Sequence, residues 1–308
     1  MQDVKKSYIV AVSGGVDSTV LLHMLIHRDP LLGLHIPADA EFIVAHVDHG
    51  IRGANSSRDR EFVQNLAESF GLVFEFIELN LGPDASEEVA RTARYKFLDS
   101  VMSKYSANGI IIAHHSGDVM ETAIINHMRG SGRRGYTALS SKDNRIRPIL
   151  HMNKDQLKSY AEAHRIQWVE DETNTDLKYL RNRVRSVISK DGNKKLVGDF
   201  ATELQNLKIK NDLVDAEIAN ILQYKMKGKL LLSRSWFVKL PHDIACELMY
   251  AVLQKINVLN INKQLVERCV VALKVAKPGT KLDIDKGVVG LITKRSLRFI
   301  DRDTLRTL

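Results

Sequence analysis

Ser13-Gly14-Gly15-Val16-Asp17-Ser18 is the segment of this chain best suited to holding an anion. Its two glycines allow tight, positive-φ turns and let backbone N–H groups approach a ligand closely. A helix starting just after them would add unpaired N–H groups and a partial positive charge. Together these features make a phosphate cradle, to which the Ser13 and Ser18 hydroxyls add donors. The Walker A pattern requires a Lys after its second Gly, and none stands here, so this loop is not a classical P-loop. Asp17 places a carboxylate beside the cradle, which makes sense if a magnesium ion is shared with phosphates. An ordinary Gly-rich strand-to-helix turn capped by Ser13 would share much of this pattern.

Further along, Asp118 and Glu121 are three apart, which puts both carboxylates on one helical face. They suit a magnesium ion shared with Asp17, and equally an N-cap Asp followed by a first-turn Glu. Arg91 and Arg94 also share a face. They suit stabilisation of charge on a phosphate, and equally salt bridging to a neighbour such as Glu87, worth ~0.3–0.5 kcal/mol when exposed. Two runs are strongly basic. Arg129, Arg133, Arg134, Lys142, Arg145 and Arg147 stand against Asp143, and Lys178 to Lys195 holds seven basic residues against Asp191. Arg129, Arg133, Arg134, Arg181 and Arg185 are the candidates for nucleic-acid contact, with a solvated surface as the plain alternative. The Gly-rich part of the first run should be a mobile loop. His46 and His49 fit either a nucleotide pocket or simple packing.

The elements needed to position these groups can be read from hydrophobic patterning. Short apolar runs at Tyr8–Val12, Phe42–Val47, Val73–Leu79 and Gly109–Ala113 alternate with helical spacing at Asp17–His27, Arg58–Phe70, Glu87–Tyr105 and Asp118–Met128. That order predicts an α/β fold: a Rossmann-like parallel sheet with helices on both faces. Helical patterns follow at Asn153–His164, Tyr179–Ile188 and Lys194–Tyr224. Beyond a boundary near residue 205, helices at Asp243–Lys255 and Lys263–Ala276 and strands at Lys281–Asp285, Val288–Thr293 and Leu297–Ile300 predict a small α+β domain over 206–308. Two domains agree with 308 residues at roughly 150 per domain. The net charge of +8 fits a polyanionic partner without requiring one. Cys246 and Cys269 form no CxxC, which argues against a disulfide framework, a zinc ribbon and an iron–sulfur site. Their scarcity fits a reducing compartment. With no signal-like N-terminus and no apolar run of the ~18 residues a membrane span needs, the expected location is cytoplasmic, with no membrane partner. The oligomeric state stays open, a homodimer included.

Several motifs in order carry a resemblance. The Ser13–Ser18 hexamer resembles the pyrophosphate-binding signature of N-type ATP pyrophosphatases, the PP-loop enzymes. His46-Val47-Asp48-His49-Gly50-Ile51-Arg52, Ala90-Arg91 with Arg94-Tyr95, Ala113-His114-His115 through Asp118, Glu121 and Thr122, Arg129-Gly130-Ser131-Gly132, Arg147-Pro148-Ile149-Leu150, and Trp168 through Asn174 with Arg181-Asn182 and Arg185 are similar to segments of the tRNA(Ile)-lysidine synthetase family. The similarity covers Tyr8 to about Ile188. It implies ATP and Mg2+ as cofactors, and free lysine and tRNA(Ile) with a CAU anticodon as substrates. The implied reaction begins with attack of the wobble cytidine O2 on the α-phosphate of ATP, releasing pyrophosphate. The lysine ε-amine then attacks C2 and displaces AMP. The resemblance assigns nucleotide binding to Ser13, Gly14, Gly15, Val16, Asp17, Ser18 and His46, catalysis to Asp17, Asp118, Glu121, Arg91 and Arg94, and magnesium to Asp17 and Asp118. The second domain is expected to contact tRNA.

The chain departs from the family pattern at Ser116-Gly117-Asp118-Val119, where the family usually has two adjacent aspartates and then a glutamine. Asp118 aligns with the second aspartate, so one carboxylate and one amide are missing. Two other readings remain open. The first is another PP-loop enzyme: a thiolase would need cysteines, and both lie outside the nucleotide-binding half, while an amide-forming synthetase would share the ATP loop but need no anticodon-binding module. A protein that binds tRNA without chemistry would not need the acids and arginines that are retained.

Overall fold

The computed structural model describes residues 6–33, 36–48, 54–79, 87–139, 144–170, 180–188, 194–227, 231–259 and 261–302. His49 to Arg52, Lys142, Asp143 and Asp171 to Lys178 lie outside this set, and with them parts of the His46–Arg52 and Trp168–Arg185 motif blocks. The chain divides into two compact units, Met1–Leu207 and Lys208–Leu308.

The first unit is built on a parallel sheet of β1 (Ser7–Ala11), β2 (Glu41–Asp48), β3 (Val73–Glu78), β4 (Gly109–Ile112) and β5 (Arg145–Ile146), in the order β3-β2-β1-β4-β5. Tyr8 pairs with Phe42 on one side and Gly109 on the other, and Ile110 pairs with Arg145. The central strands β1 and β4 and the middle of β2 are continuously apolar because both faces are covered, while edge strand β3 alternates. Val10, Val44 and Ile111 face α1 (Val16–Ile26), α2 (Ala54–Ser69) and α6 (Lys154–Ala163), where Leu21, Val63 and Leu157 complete one core. Ile9, Ile43 and Ile110 point the other way, onto Leu98 and Val101 of α3 (Glu87–Lys104).

Strand order matters for function. From β1 the chain moves outward through β2 and β3, then returns to place β4 on the other side of β1. The ends of β1 and β4 therefore flank a topological switch point, where open α/β sheets form a ligand crevice beyond their C-terminal ends. α4 (Ser116–Met128) follows β4, and α5 (Arg133–Tyr136) and α7 (Leu180–Ile188) pack on α4. The loop expected to be mobile contains α5, a single turn held by a 2.7 Å hydrogen bond from Asn126 Nδ2 to the Gly135 carbonyl. Its four residues are too few to give a periodic signal.

α8 (Lys194–Lys225) crosses the unit boundary; its Leu204 packs with Met120 and Ala123 of α4. In the second unit β6 (Met226–Lys227), β7 (Leu231–Ser233), β8 (Lys281–Asp283), β9 (Val288–Ile292) and β10 (Ser296–Asp301) form an antiparallel sheet of order β6-β7-β10-β9-β8. α9 (Arg234–Phe237), α10 (His242–Lys255) and α11 (Lys263–Val275) share a core with it through Phe237, Met249, Val252, Val270, Ile292 and Leu297. β5, β6, β7, α5 and α9 were not foreseen from sequence; all are four residues or shorter.

Candidate active site at the switch point

The Ser13–Ser18 loop leaves β1 and is held by its own short side chains. Ser13 N–H donates to Ser18 Oγ at 3.1 Å, Ser18 Oγ donates to the Gly15 carbonyl at 3.0 Å, and Thr19 Oγ1 reaches the same carbonyl at 3.0 Å. Gly14 has φ +93°, a conformation that excludes side chains, and a Cβ there would lie 3.3 Å from Val63. The Val169 N–H closes on the Gly14 carbonyl at 2.9 Å, tying the loop to the segment after α6. Gly15 is the N-cap of α1 and Val16 its buried first residue, with no side-chain cap on the helix. The first-turn N–H groups therefore face the loop, ready for an anion.

His46 lies under this loop rather than on its surface. It is 3% exposed, Nδ1–H donates to the Val12 carbonyl at 2.9 Å, and the ring stacks on Phe74. Burial lowers its pKa, so the ring is neutral and Nε2 carries the lone pair. That buried Nε2 has no hydrogen-bond partner among the described residues.

Opposite the loop, β4 leads into His114, His115 and α4. The helix starts at Ser116, two residues earlier than patterning indicates, with His115 as its N-cap. Asp118 is thus the third helical residue. Its Oδ2 accepts from the His115 N–H at 2.9 Å, and His115 Nδ1 accepts from the Gly117 N–H at 3.0 Å. With Nδ1 accepting, the ring N–H lies on Nε2. That atom lies 3.8 Å from Asp17 Oδ2 and 3.7 Å from Asp118 Oδ2. His115 therefore stands between the two carboxylates the sequence singled out, bringing loop and helix to one place. Burial works against ionisation of Asp118. The adjacent His115 and His114, the His115 N–H and the Arg181 guanidinium outweigh it, and the pKa lies below the ordinary carboxylate value.

Gly117, the departure from the family pattern, has a steric role here. A Cβ at this position would sit 2.7 Å from His115 Cε1. The space of a side chain at 117 is taken by the imidazole.

Two features were not visible in the sequence. Lys154, first residue of α6, places Nζ 2.8 Å from both carboxylate oxygens of Asp17. α6 is fixed by a reciprocal cap in which Asn153 accepts from the Gln156 N–H and Gln156 accepts from the Asn153 N–H. No local spacing announces a contact across 137 residues. The second feature is the orientation of two arginines. Arg181 and Arg185, assigned above to a nucleic-acid surface, turn their guanidinium groups onto α4. Arg181 Nε reaches Glu121 Oε2 at 2.7 Å and its Nη2 reaches Asp118 Oδ1 at 3.2 Å, while Arg185 Nε reaches Glu121 Oε1 at 2.6 Å. The reason is Glu121, only 3% exposed, whose buried charge requires compensation.

The remaining cations form an adjoining group around Tyr95. The guanidinium groups of Arg91, Arg94 and Arg145 lie 5.2, 5.8 and 5.2 Å from its ring centroid. Arg147 also interacts with Tyr95 and donates from Nε to His114 Nδ1 at 2.8 Å. Burial, with Arg147, Arg181 and Arg94 nearby, brings His114 down to about 3 against the pull of Asp118, so this ring is neutral too. His114 thus links the arginine group to the acid pair. Arg145 is further anchored to Asp99 at 2.6 Å. Arg129 ends α4 in an exposed position, and Arg133 and Arg134 are half-buried on α5. A separate cleft lined by Ser7, Arg28, Phe42 and Val73 lies at the N-terminal ends of β1 and β2, away from the switch point.

A family model described as a PP-loop domain matches residues 1–191. The chain belongs to the PP-loop family. Among curated proteins, this PP-loop chain is similar to tRNA(Ile)-lysidine synthase of Thermotoga sp. (strain RQ2), 40% identical over 184 residues, covering 58% of this chain and 43% of that protein. It is also similar to tRNA(Ile)-lysidine synthase of Bacillus licheniformis, 34% identical over 215 residues, covering 63% and 44%. The matched part is thus less than half the length of these relatives. Among solved structures, the U34-tRNA thiolase NcsA of Methanococcus maripaludis superposes with a TM-score of 0.51 at 20% identity, over 67% of this chain and 74% of that one. That likeness concerns the PP-loop fold.

Proposed function

We propose that this chain uses ATP to join free lysine to C2 of the wobble cytidine of tRNA(Ile) carrying a CAU anticodon, forming lysidine. The observation that carries the reading is the meeting of the Ser13–Ser18 loop with Asp118 across His115 at the switch point. The loop N–H groups and the α1 terminus hold the outer phosphates of ATP. Asp17 and Asp118 offer hard oxygen ligands converging on one region, a donor set that fits Mg2+. Bound there, the ion would neutralise phosphate charge. Arg91 and Arg94, with Arg147 beside them, face the charge that develops as pyrophosphate leaves. The cytidine O2 displaces pyrophosphate from the α-phosphate, and the lysine amine then attacks C2, loses a proton and expels AMP.

Glu121 has a different part from the one its spacing implied. Its carboxylate lies against Arg181 and Arg185, so it positions α7 against α4 and sets Arg181 on Asp118. Contact with tRNA falls to Arg129, Arg133 and Arg134 and to the second unit, and a tRNA-dependent reaction places the protein in the cytoplasm. Sulfur transfer has no support in the first unit, because Cys246 and Cys269 both belong to the second.

The decisive experiment incubates the protein with ATP, labelled lysine and tRNA transcripts that differ at the wobble base. Lysine should enter the cytidine transcript alone, with stoichiometric AMP. Labelling independent of that base, or none with ATP consumed, would reject the assignment. Asp17→Ala and Asp118→Ala should each abolish tRNA-dependent pyrophosphate release while circular dichroism stays unchanged.

A further inference from the structure

The second unit carries a cluster that the proposed reaction does not use. His242 and Cys246 are four apart on α10 and share one helical face. Glu267 of α11 faces both. His242 Nε2 lies 3.0 Å from Glu267 Oε2 and 3.5 Å from Cys246 Sγ, and that Sγ lies 3.5 Å from the same carboxylate oxygen. The three ligand atoms all fall within 4.8 Å of one another.

We propose that His242, Cys246 and Glu267 bind a divalent cation of the zinc type, with water as fourth ligand, clamping α10 to α11. The spacing is the main argument. Usual zinc–sulfur, zinc–nitrogen and zinc–oxygen bonds at tetrahedral angles give ligand–ligand edges of roughly 3.4–3.6 Å. The two edges that include sulfur already have this length. The His–Glu edge would open by about 0.4 Å, a small movement for two side chains on the rim of the unit.

Chemistry supports the same choice. An ordinary surface ion pair needs only His242 and Glu267; the thiol adds a soft ligand that selects zinc over magnesium or calcium. A thiolate, a carboxylate and a neutral imidazole around a doubly charged ion make a neutral centre. Asp243 lies close enough to favour the cation, while Lys274, nearby on α11, is engaged with the Leu240 carbonyl at 2.7 Å. His242 and Glu267 are about half exposed, which leaves a side open to water. The set escaped the sequence reading because its members lie on two helices, 21 residues apart between Cys246 and Glu267, with no CxxC.

Cobalt(II) is the probe that separates this centre from any oxygen-ligand site in the first unit. Added to the reduced full-length protein, it should give a thiolate-to-cobalt charge-transfer band in the near ultraviolet, which zinc then abolishes. Cys246→Ser and His242→Ala should each lose the band, and Glu267→Gln should weaken zinc binding by at least roughly tenfold, as loss of even an indirect partner often does. Circular dichroism confirms that each variant is folded, and Cys246→Ser changes only one atom of a half-buried residue. Absence of the band in the unaltered protein at millimolar cobalt would overturn the proposal. So would its persistence in folded Cys246→Ser, which would put the metal on Cys269.

Discussion

At the scale of single residues, the site turns on how His115 is held. Its ring caps α4, fills the space over Gly117 and presents Nε2 to Asp17 and Asp118. An aspartate at 117 restores the usual family residue on paper, yet its Cβ would collide with His115 at 2.7 Å. We therefore expect Gly117→Asp to lower tRNA-dependent pyrophosphate release, and to lower thermal stability by loss of the cap, about 1 kcal/mol by analogy with other N-caps. Recovery of higher activity in that variant would show that the imidazole is dispensable. The neutral His46 has another residue-level role: its bond to the Val12 carbonyl supports the strand end from which the phosphate loop departs.

At the scale of elements, charge joins α7 to α4 and histidines line the contact of α1 with α6. Arg181→Ala would leave the Glu121 carboxylate, buried at 3% exposure, with Arg185 as its remaining partner among the described residues. Breaking buried pairs typically costs about 3–5 kcal/mol, and the surviving Arg185 places this case at or below the lower end. Urea denaturation of Arg181→Ala should show the loss, and Arg181→Ala combined with Glu121→Ala should recover part of it. Between α1 and α6, His23 lies 4.2 Å from the His27 ring and 5.3 Å from the His164 ring, and Tyr160 hydrogen-bonds Asp29. Burial, then His27 and His164, lower the His23 pKa below 6.5, against a smaller opposing effect of Asp29. The unfolded chain therefore binds a proton here more readily than the folded one. This contribution to stability is full above about pH 6.5 and is lost as pH falls through that value toward the folded pKa. Melting temperature should decline from pH 8 to pH 5, and His23→Gln should flatten the decline; an unchanged slope in that variant would locate the effect elsewhere.

At the scale of the whole molecule, the net charge of +8 becomes relevant if the partner is tRNA. Each phosphate neutralised on a nucleic acid contributes ~0.7–0.9 to the slope of log affinity against log salt. Binding of tRNA(Ile), followed by filter retention between low and physiological salt, should weaken steeply, and Arg129→Ala combined with Arg134→Ala should reduce the slope. A flat response would remove the basic residues from the interface. No helix among the described residues is long and apolar enough to cross a membrane.

The sequence by itself determined the first four strands of the parallel sheet, because they are short apolar or alternating runs and the covering helices repeat their apolar residues at helical spacing; such signals are local. It also determined the tight Ser13–Ser18 turn at the end of β1, since adjacent glycines supply the positive φ found at Gly14. β5, β6 and β7, of two or three residues with no apolar run of strand length marking them out, left no period to read. Tertiary structure alone decided the partners. Lys154 meets Asp17 across 137 residues, and Arg181 and Arg185 turn from a basic run that read as surface to a carboxylate 60 and 64 positions away. A charge pattern along the chain records where cations stand, but the direction each one faces is set by the buried charge it must neutralise, and that is known only once the helices have packed.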